Sequence, residues 1–207
     1  MKTHLPLLAL LLVPCAVFAQ TTWQGLAFGN SAAHVRDVLS KQPPVCNNSD
    51  GDDHDCVALT MEQLPAGSTG DWTVNPPLEL WLPALSSPLH FNAFLTFFNL
   101  DRQLVRIDLR LDTDRHKAEG KQAPDLVDYA GEPVLGELLG RYGVPLEMSA
   151  ACEPAETRRL LRTHADLIDC NVLWKADGQT VNLAWKYSAS GKTYSLVVRY
   201  AWVRSGL

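Results

Sequence analysis

The residues best suited to chemistry are five cysteines, an acidic loop, a basic helix segment and a set of aromatics near the end of the chain. Cys15 lies inside an apolar N-terminal run, which leaves Cys46, Cys56, Cys152 and Cys170, an even number that points to two disulfides in an oxidising compartment. Four cysteines allow three pairings. The expected one joins Cys46 to Cys56 and Cys152 to Cys170, because each bridge then closes a short polar loop within its own half of the chain. Zinc is disfavoured, since no CxxC occurs and no histidine pair stands at ligand spacing beside these cysteines.

The stretch from Asn47 to Asp55 is the densest group of oxygen ligands, and calcium is its natural candidate ion. It lacks the closing glutamate of an EF-hand relative to Asp50-Gly51, so a solvated loop beside a disulfide is the expected reading. Gly191-Lys-Thr193 ends like a phosphate loop, but Lys186 stands where the first glycine belongs, and hairpin-turn chemistry accounts for the rest. GxSxG, HExxH and GxGxxG are all missing, and no cofactor is expected. His34, His54, His90, His116 and His164 are scattered, and each is expected at the surface or in a cap. Arg158, Arg159 and Arg162 cluster on a predicted helix, where they either face an acidic partner or form a solvated face. Trp185, Tyr187, Tyr200 and Trp202 recur at period two on neighbouring strands; they share one sheet face, a core in the usual case and an aromatic binding platform if exposed.

The elements that must position these groups follow from the spacing of apolar residues. Val35, Val38 and Leu39 fall on one face of a helix capped by Asn30 or Ser31 and stopped by Pro43 and Pro44. A break rich in Pro, Gly and Ser spans 65–77, followed by extended segments with Leu78, Leu80 and Leu82 in alternation and an apolar run from Phe91 to Phe98. From Val105 to Asp112 the alternation is strict, with Val105, Ile107, Leu109 and Leu111 on one face and Arg106, Asp108, Arg110 and Asp112 on the other. Such a strand belongs to a sheet with one wet face. Asn99 to Gln103 is the expected hairpin before it.

A charged linker over 113–122 then leads into a second helix carrying Leu135, Leu138 and Leu139, the spacing of Val35, Val38 and Leu39 again. The 152–170 stretch holds a helix over 156–164. Two strands close the chain, one with Val181, Leu183, Trp185 and Tyr187 and one with Leu196, Val198, Tyr200 and Trp202, joined at Ser188 to Lys192. The fold class is therefore α+β, an antiparallel sheet covered on one face by short helices, with approximate tandem repeats over 23–115 and 124–207.

The segment Trp23-Gln-Gly-Leu-Ala-Phe-Gly-Asn-Ser31, followed by Val35-Arg-Asp-Val-Leu39 and later by Leu138-Leu-Gly-Arg-Tyr-Gly-Val-Pro145, resembles small bacterial envelope domains of the BamE/SmpA and beta-lactamase-inhibitor-protein type. The resemblance implies a short helical segment paired with an antiparallel sheet, and action by binding other proteins. No contact residue is carried across by it.

Location follows from the first nineteen residues. Lys2, the apolar run Leu5 to Val13 and a small residue at Ala19 have the order of a secretory signal peptide, while Pro6 and Pro14 interrupt the run below the length of a membrane span. Pro14 also stands where a lipoprotein signal carries a small residue before its cysteine. The expected mature chain, 20–207, is one domain in the periplasm or outside the cell. Loss of Lys2 from the 18 basic side chains leaves 17 against 23 acidic ones, a balance of −6 that disfavours nucleic acid and anionic membranes as main partners. The functional expectation is a non-enzymatic module that binds another envelope or extracellular protein; the alternative is an extracytoplasmic hydrolase with an unrecognised site.

Intact-mass analysis checks the set together. The mature species should begin at Gln20, carry no lipid and be four hydrogens lighter than its reduced form; an uncleaved N-terminus or an acyl mass would contradict the first two expectations.

Overall fold

The computed structural model describes residues 26–42, 45–46, 56–63, 71–80, 82, 85, 88–98, 103–176 and 178–203. Helix α1 (Ala32–Ser40) starts at Ser31, whose hydroxyl accepts the His34 N–H at 3.2 Å and satisfies one of the donors that a helix N-terminus leaves open. Its buried residues are Ala32, Val35 and Leu39, the apolar stripe expected from their spacing. Two short strands, β1 (Val45–Cys46) and β2 (Cys56–Val57), pair with each other, and four longer ones follow: β3 (Thr60–Gln63), β4 (Asp71–Leu80), β5 (Leu89–Phe98) and β6 (Gln103–Leu111).

The second half opens with α2 (Thr113–Ala118) and α3 (Ala123–Leu126). A π-helical turn, Val127–Gly131, runs directly into α4 (Glu132–Tyr142). Strand β7 (Glu147–Met148), a 3-10 turn at Ala150–Cys152 and α5 (Pro154–Arg162) precede β8 (Leu167–Ala176), β9 (Gln179–Ser188) and β10 (Thr193–Trp202). All of β3 to β10 form one antiparallel sheet in the order β3-β4-β5-β6-β10-β9-β8-β7. Each half supplies four consecutive strands, and the last strand of each meets the other at the centre. There Tyr200 stands opposite Ile107, Arg199 opposite Asp108 and Val198 opposite Leu109.

Side chains alternate across a strand, so this register sorts them into two faces. One face is the core: Ile107, Leu183, Val181 and Leu95 are fully buried there, and α1, α3 and α4 add Val35, Leu39, Leu126, Val134 and Leu138 from above. Two local contacts fix the helical cover. Gly143 ends α4 at a φ of 71°, a conformation that glycine adopts without strain, and its carbonyl accepts the Trp174 indole N–H at 3.0 Å. Gly131, in the π-helical turn, lies so close to the sheet that a Cβ there would stand 2.9 Å from the Tyr194 hydroxyl. The fold class is α+β, as the alternation of elements predicts.

Three local expectations are corrected. The linker over 113–122 contains α2, capped by Asp112, which accepts the Arg115 N–H at 3.1 Å; its charges decorate a short helix. The break over 65–77 gives way to strand at Asp71, and β4 passes through Asn75-Pro76-Pro77, where the ladder is irregular between Val74 and Leu78 and the missing proline N–H groups interrupt no regular pairing. Strand β8 emerges from what reads as the end of a helical loop: Ile168, Cys170, Val172 and Trp174 alternate into the core. The signal segment 1–19, Pro43 and Pro44, the acidic loop 47–55 and the hairpin residues 99–102 lie outside the described residues.

Ile107 is completely buried at the central pairing, so Ile107→Ala should lower the unfolding free energy by roughly 2 to 5 kcal/mol. A denaturant titration reads this as a lower midpoint at unchanged slope; an unchanged midpoint would show that the junction is not part of the cooperative core.

Candidate functional site

Among the described residues, the face opposite the helices is bare of helical cover along its centre; α2 reaches only its His90 end. Along β5, β6, β10, β9 and β8 its side chains are half-buried or exposed, with two exceptions: His90 at the start of β5, 3% exposed, and Asp108 on β6, 1% exposed. A carboxylate this buried must be paired and hydrogen-bonded to stay charged. Arg199, directly across on β10, supplies both bonds: its Nε donates to Oδ1 at 2.7 Å and its Nη2 to Oδ2 at 3.1 Å. These bonds raise the guanidinium above its already high ordinary pKa.

The neighbours two residues away on β6 are also arginines. Arg106 Nε stands 3.6 Å from Oδ1 and Arg110 Nη2 3.8 Å from Oδ2, at ion-pair distance but beyond hydrogen-bond reach of the carboxylate. Arg110 lies over the Phe94 ring at 4.4 Å, so an aromatic from β5 packs against its guanidinium. Three guanidinium groups therefore surround one carboxylate. Toward β8 the bare face becomes balanced, with Lys186 paired to Asp169 at 2.8 Å and the Asn182 amide donating to the Asn171 side chain at 2.7 Å.

The predicted site residues fall elsewhere. Arg158, Arg159 and Arg162 lie on α5, where Arg159 donates to both oxygens of Glu156 at 2.7 and 2.6 Å and Arg158 reaches Glu132 at 3.2 Å. The charges of Arg158 and Arg159 are answered locally and Arg162 is exposed, in keeping with a solvated helix face. Trp185 and Tyr200 are buried on the helix side of the sheet, and Tyr187 and Trp202 are half-buried on the same face. Burial raises the Tyr200 phenol well above its ordinary range. Trp185, Tyr187 and Tyr200 form part of the core packing, and half-buried Trp202 lies at the end of the same face, so the four make no open platform. Cys152 and Cys170 lie at disulfide distance, their Cα atoms 4.8 Å apart, tying the 3-10 turn before α5 to β8. Backbone register places Cys46 opposite Cys56, while the bridge expected between them involves side chains outside the described residues.

The histidine expectation is corrected for two of the five. His34 and His164 are exposed and His54 lies outside the described residues, but His90 and His116 are buried against each other, with ring centroids 5.4 Å apart. The cap at Asp112 turns α2 back over the start of β5, so that His116 Nε2 accepts the His90 backbone N–H at 3.3 Å. That contact assigns the proton to Nδ1, which donates to Glu119 Oε2 at 3.1 Å. Glu119 Oε1 also faces His90 Nε2 at 3.4 Å, and Tyr129 meets the His116 ring edge-on. The group is a latch between α2 and the sheet. Among the described residues, no set of three or more His, Cys, Asp or Glu side chains is placed to hold a metal ion, and no helix is long and apolar enough to cross a membrane.

Arginines at 106 and 110 were visible in the strict alternation around Asp108, but Arg199 could be added only by knowing which strands pair. His90 carried a weaker signal, a polar residue between Leu89 and Phe91.

Burial is the largest influence on His116 and lowers its pKa from the ordinary 6.5, outweighing the opposing pull of Glu119. The unfolded chain then binds more protons than the folded one as pH falls through 6.5, so the stability this histidine contributes is present above that value and lost below it. Urea midpoints should fall between about pH 7.5 and about pH 5, and His116→Gln should flatten that dependence. An equally steep dependence in the variant would assign the acid sensitivity to other groups.

Comparison with protein-family models, with curated proteins and with solved structures returns no match for this chain.

Proposed function

We propose that this chain is an extracytoplasmic, non-enzymatic protein-binding module whose working surface is the helix-free centre of one face of its sheet. The observation that carries the reading is the asymmetry of the sheet: one face is sealed by helices, and the other presents a constructed arginine cluster around a buried carboxylate. A solvated face needs no buried charge. Holding Asp108 out of water serves to fix the arginines beside it, and fixed, partly desolvated guanidinium groups are frequent anchors of protein interfaces.

The location rests on the signal-like N-terminus and agrees with the Cys152 to Cys170 pair, which persists in oxidising compartments. The resemblance to envelope binding domains points the same way. Hydrolysis finds less support, because the buried pair His90 and His116 is engaged with backbone and Glu119.

Photo-crosslinking from defined positions tests the proposal. A photoreactive residue at Ser195, exposed on the bare face, should capture a discrete partner from envelope or extracellular fractions, while one at Glu137, exposed on α4, should not. Equal capture from both positions would overturn the assignment of the face. No capture together with substrate turnover would favour the hydrolase.

A further inference from the structure

Resting on that reading, we infer that the partner presents an acidic surface, and that Arg110 and Arg199 anchor it by donating to its carboxylates. The first argument is charge. The chain carries a net charge of −5, yet the centre of its bare face holds three arginines against one aspartate. A local excess opposite in sign to the whole molecule steers an anionic partner toward that spot.

The second argument is donor capacity. A guanidinium carries five N–H donors. Arg199 spends two on Asp108 and remains 46% exposed; Arg110 donates none to that carboxylate and is 51% exposed. The third is preorganisation. Arg110 is bracketed by the Phe94 ring and the Asp108 charge, so less side-chain freedom is lost when it binds, and its planar edge suits a carboxylate's two oxygens. Lysines in the same positions would supply charge without that geometry. The basic helix α5 offers no equivalent, because Arg158 and Arg159 already hold glutamates and exposed Arg162 is a single cation with no aromatic ring against it among the described residues.

The test is a side-chain NMR titration of the mature chain with an oligoglutamate peptide, an oligolysine peptide and inorganic phosphate. Oligoglutamate should shift the Nε–H resonances of Arg110 and Arg199, more weakly as salt rises, and oligolysine should not. Arg110→Gln should weaken the interaction about tenfold, as loss of a charge-assisted contact does. This variant leaves both hydrogen bonds to Asp108 in place, whereas Arg199→Gln strips them and risks the fold. Arg158→Gln should bind like the parent. Shifts centred on Arg158, Arg159 and Arg162, or unaltered binding by Arg110→Gln, would overturn the inference. So would equal shifts with phosphate, which would make the cluster a generic anion site. If crosslinking from Ser195 succeeds while oligoglutamate leaves both arginines unmoved, the binding face stands and the acidic partner falls; if both fail, the face itself is wrong.

Discussion

Everything in this molecule depends on the pairing of β6 with β10. It is the single seam along which the four strands of the first half join the four of the second, and without it neither half has a closed core. The seam is held differently on its two sides. On the helix side Ile107, Leu109, Val198 and Tyr200 are buried together, and their removal from water supplies the driving force. On the other side, the same register puts Asp108 against Arg199 across 91 residues of sequence.

That ion pair contributes little net stability by itself, since taking both charges from water offsets most of their attraction. Its effect is on which register forms. A slip of one residue would turn Asp108 into the apolar layer and Ile107 out of it, and the paired charge makes that alternative costly. The same constraint places Arg106 and Arg110 two residues to either side of a fixed negative charge. The arginine cluster is thus a by-product of the seam, and the candidate site cannot be altered at Asp108 or Arg199 without touching the fold. The latch of His116 onto His90 works on a smaller scale, pinning the connection between halves to the start of β5.

Elements with strong periodicity were legible without coordinates. The strands around Ile107, Leu183 and Val198 and the helices around Val35 and Leu138 all follow from which residues must face inward. Elements were lost where a local signal pointed elsewhere. Pro76 and Pro77 masked β4, because an irregular ladder tolerates what a regular one forbids. Pro154 and the helix-prone run after it drew attention from Ile168, Cys170, Val172 and Trp174, whose alternation is plain once the strand is seen. The short linker helix disappeared behind its own charges. The site was half legible: the polar side of β6 could be read, but the partners that turn Asp108 into a buried hub come from β10 and β5, and cross-strand register is a tertiary fact. His116 failed for the same reason, its environment being built from β5 and the π-helical turn.

The position of β10 has a consequence for how the chain reaches this state. Among the described strands it follows all the others in sequence and yet sits in the middle of the sheet, with β6 on one side and β9 on the other. Until it arrives, β6 and β9 are both unpaired edges with apolar faces, the condition in which strands join neighbouring molecules. Contacts between β6 and β10 also span much of the sequence, which makes the closing step slow by the ordinary cost of long-range pairing. Folding of this sheet therefore has a vulnerable interval that ends only when β10 is inserted between β6 and β9, and lesions in Thr193–Trp202 should act on solubility well before they act on any property of the finished fold.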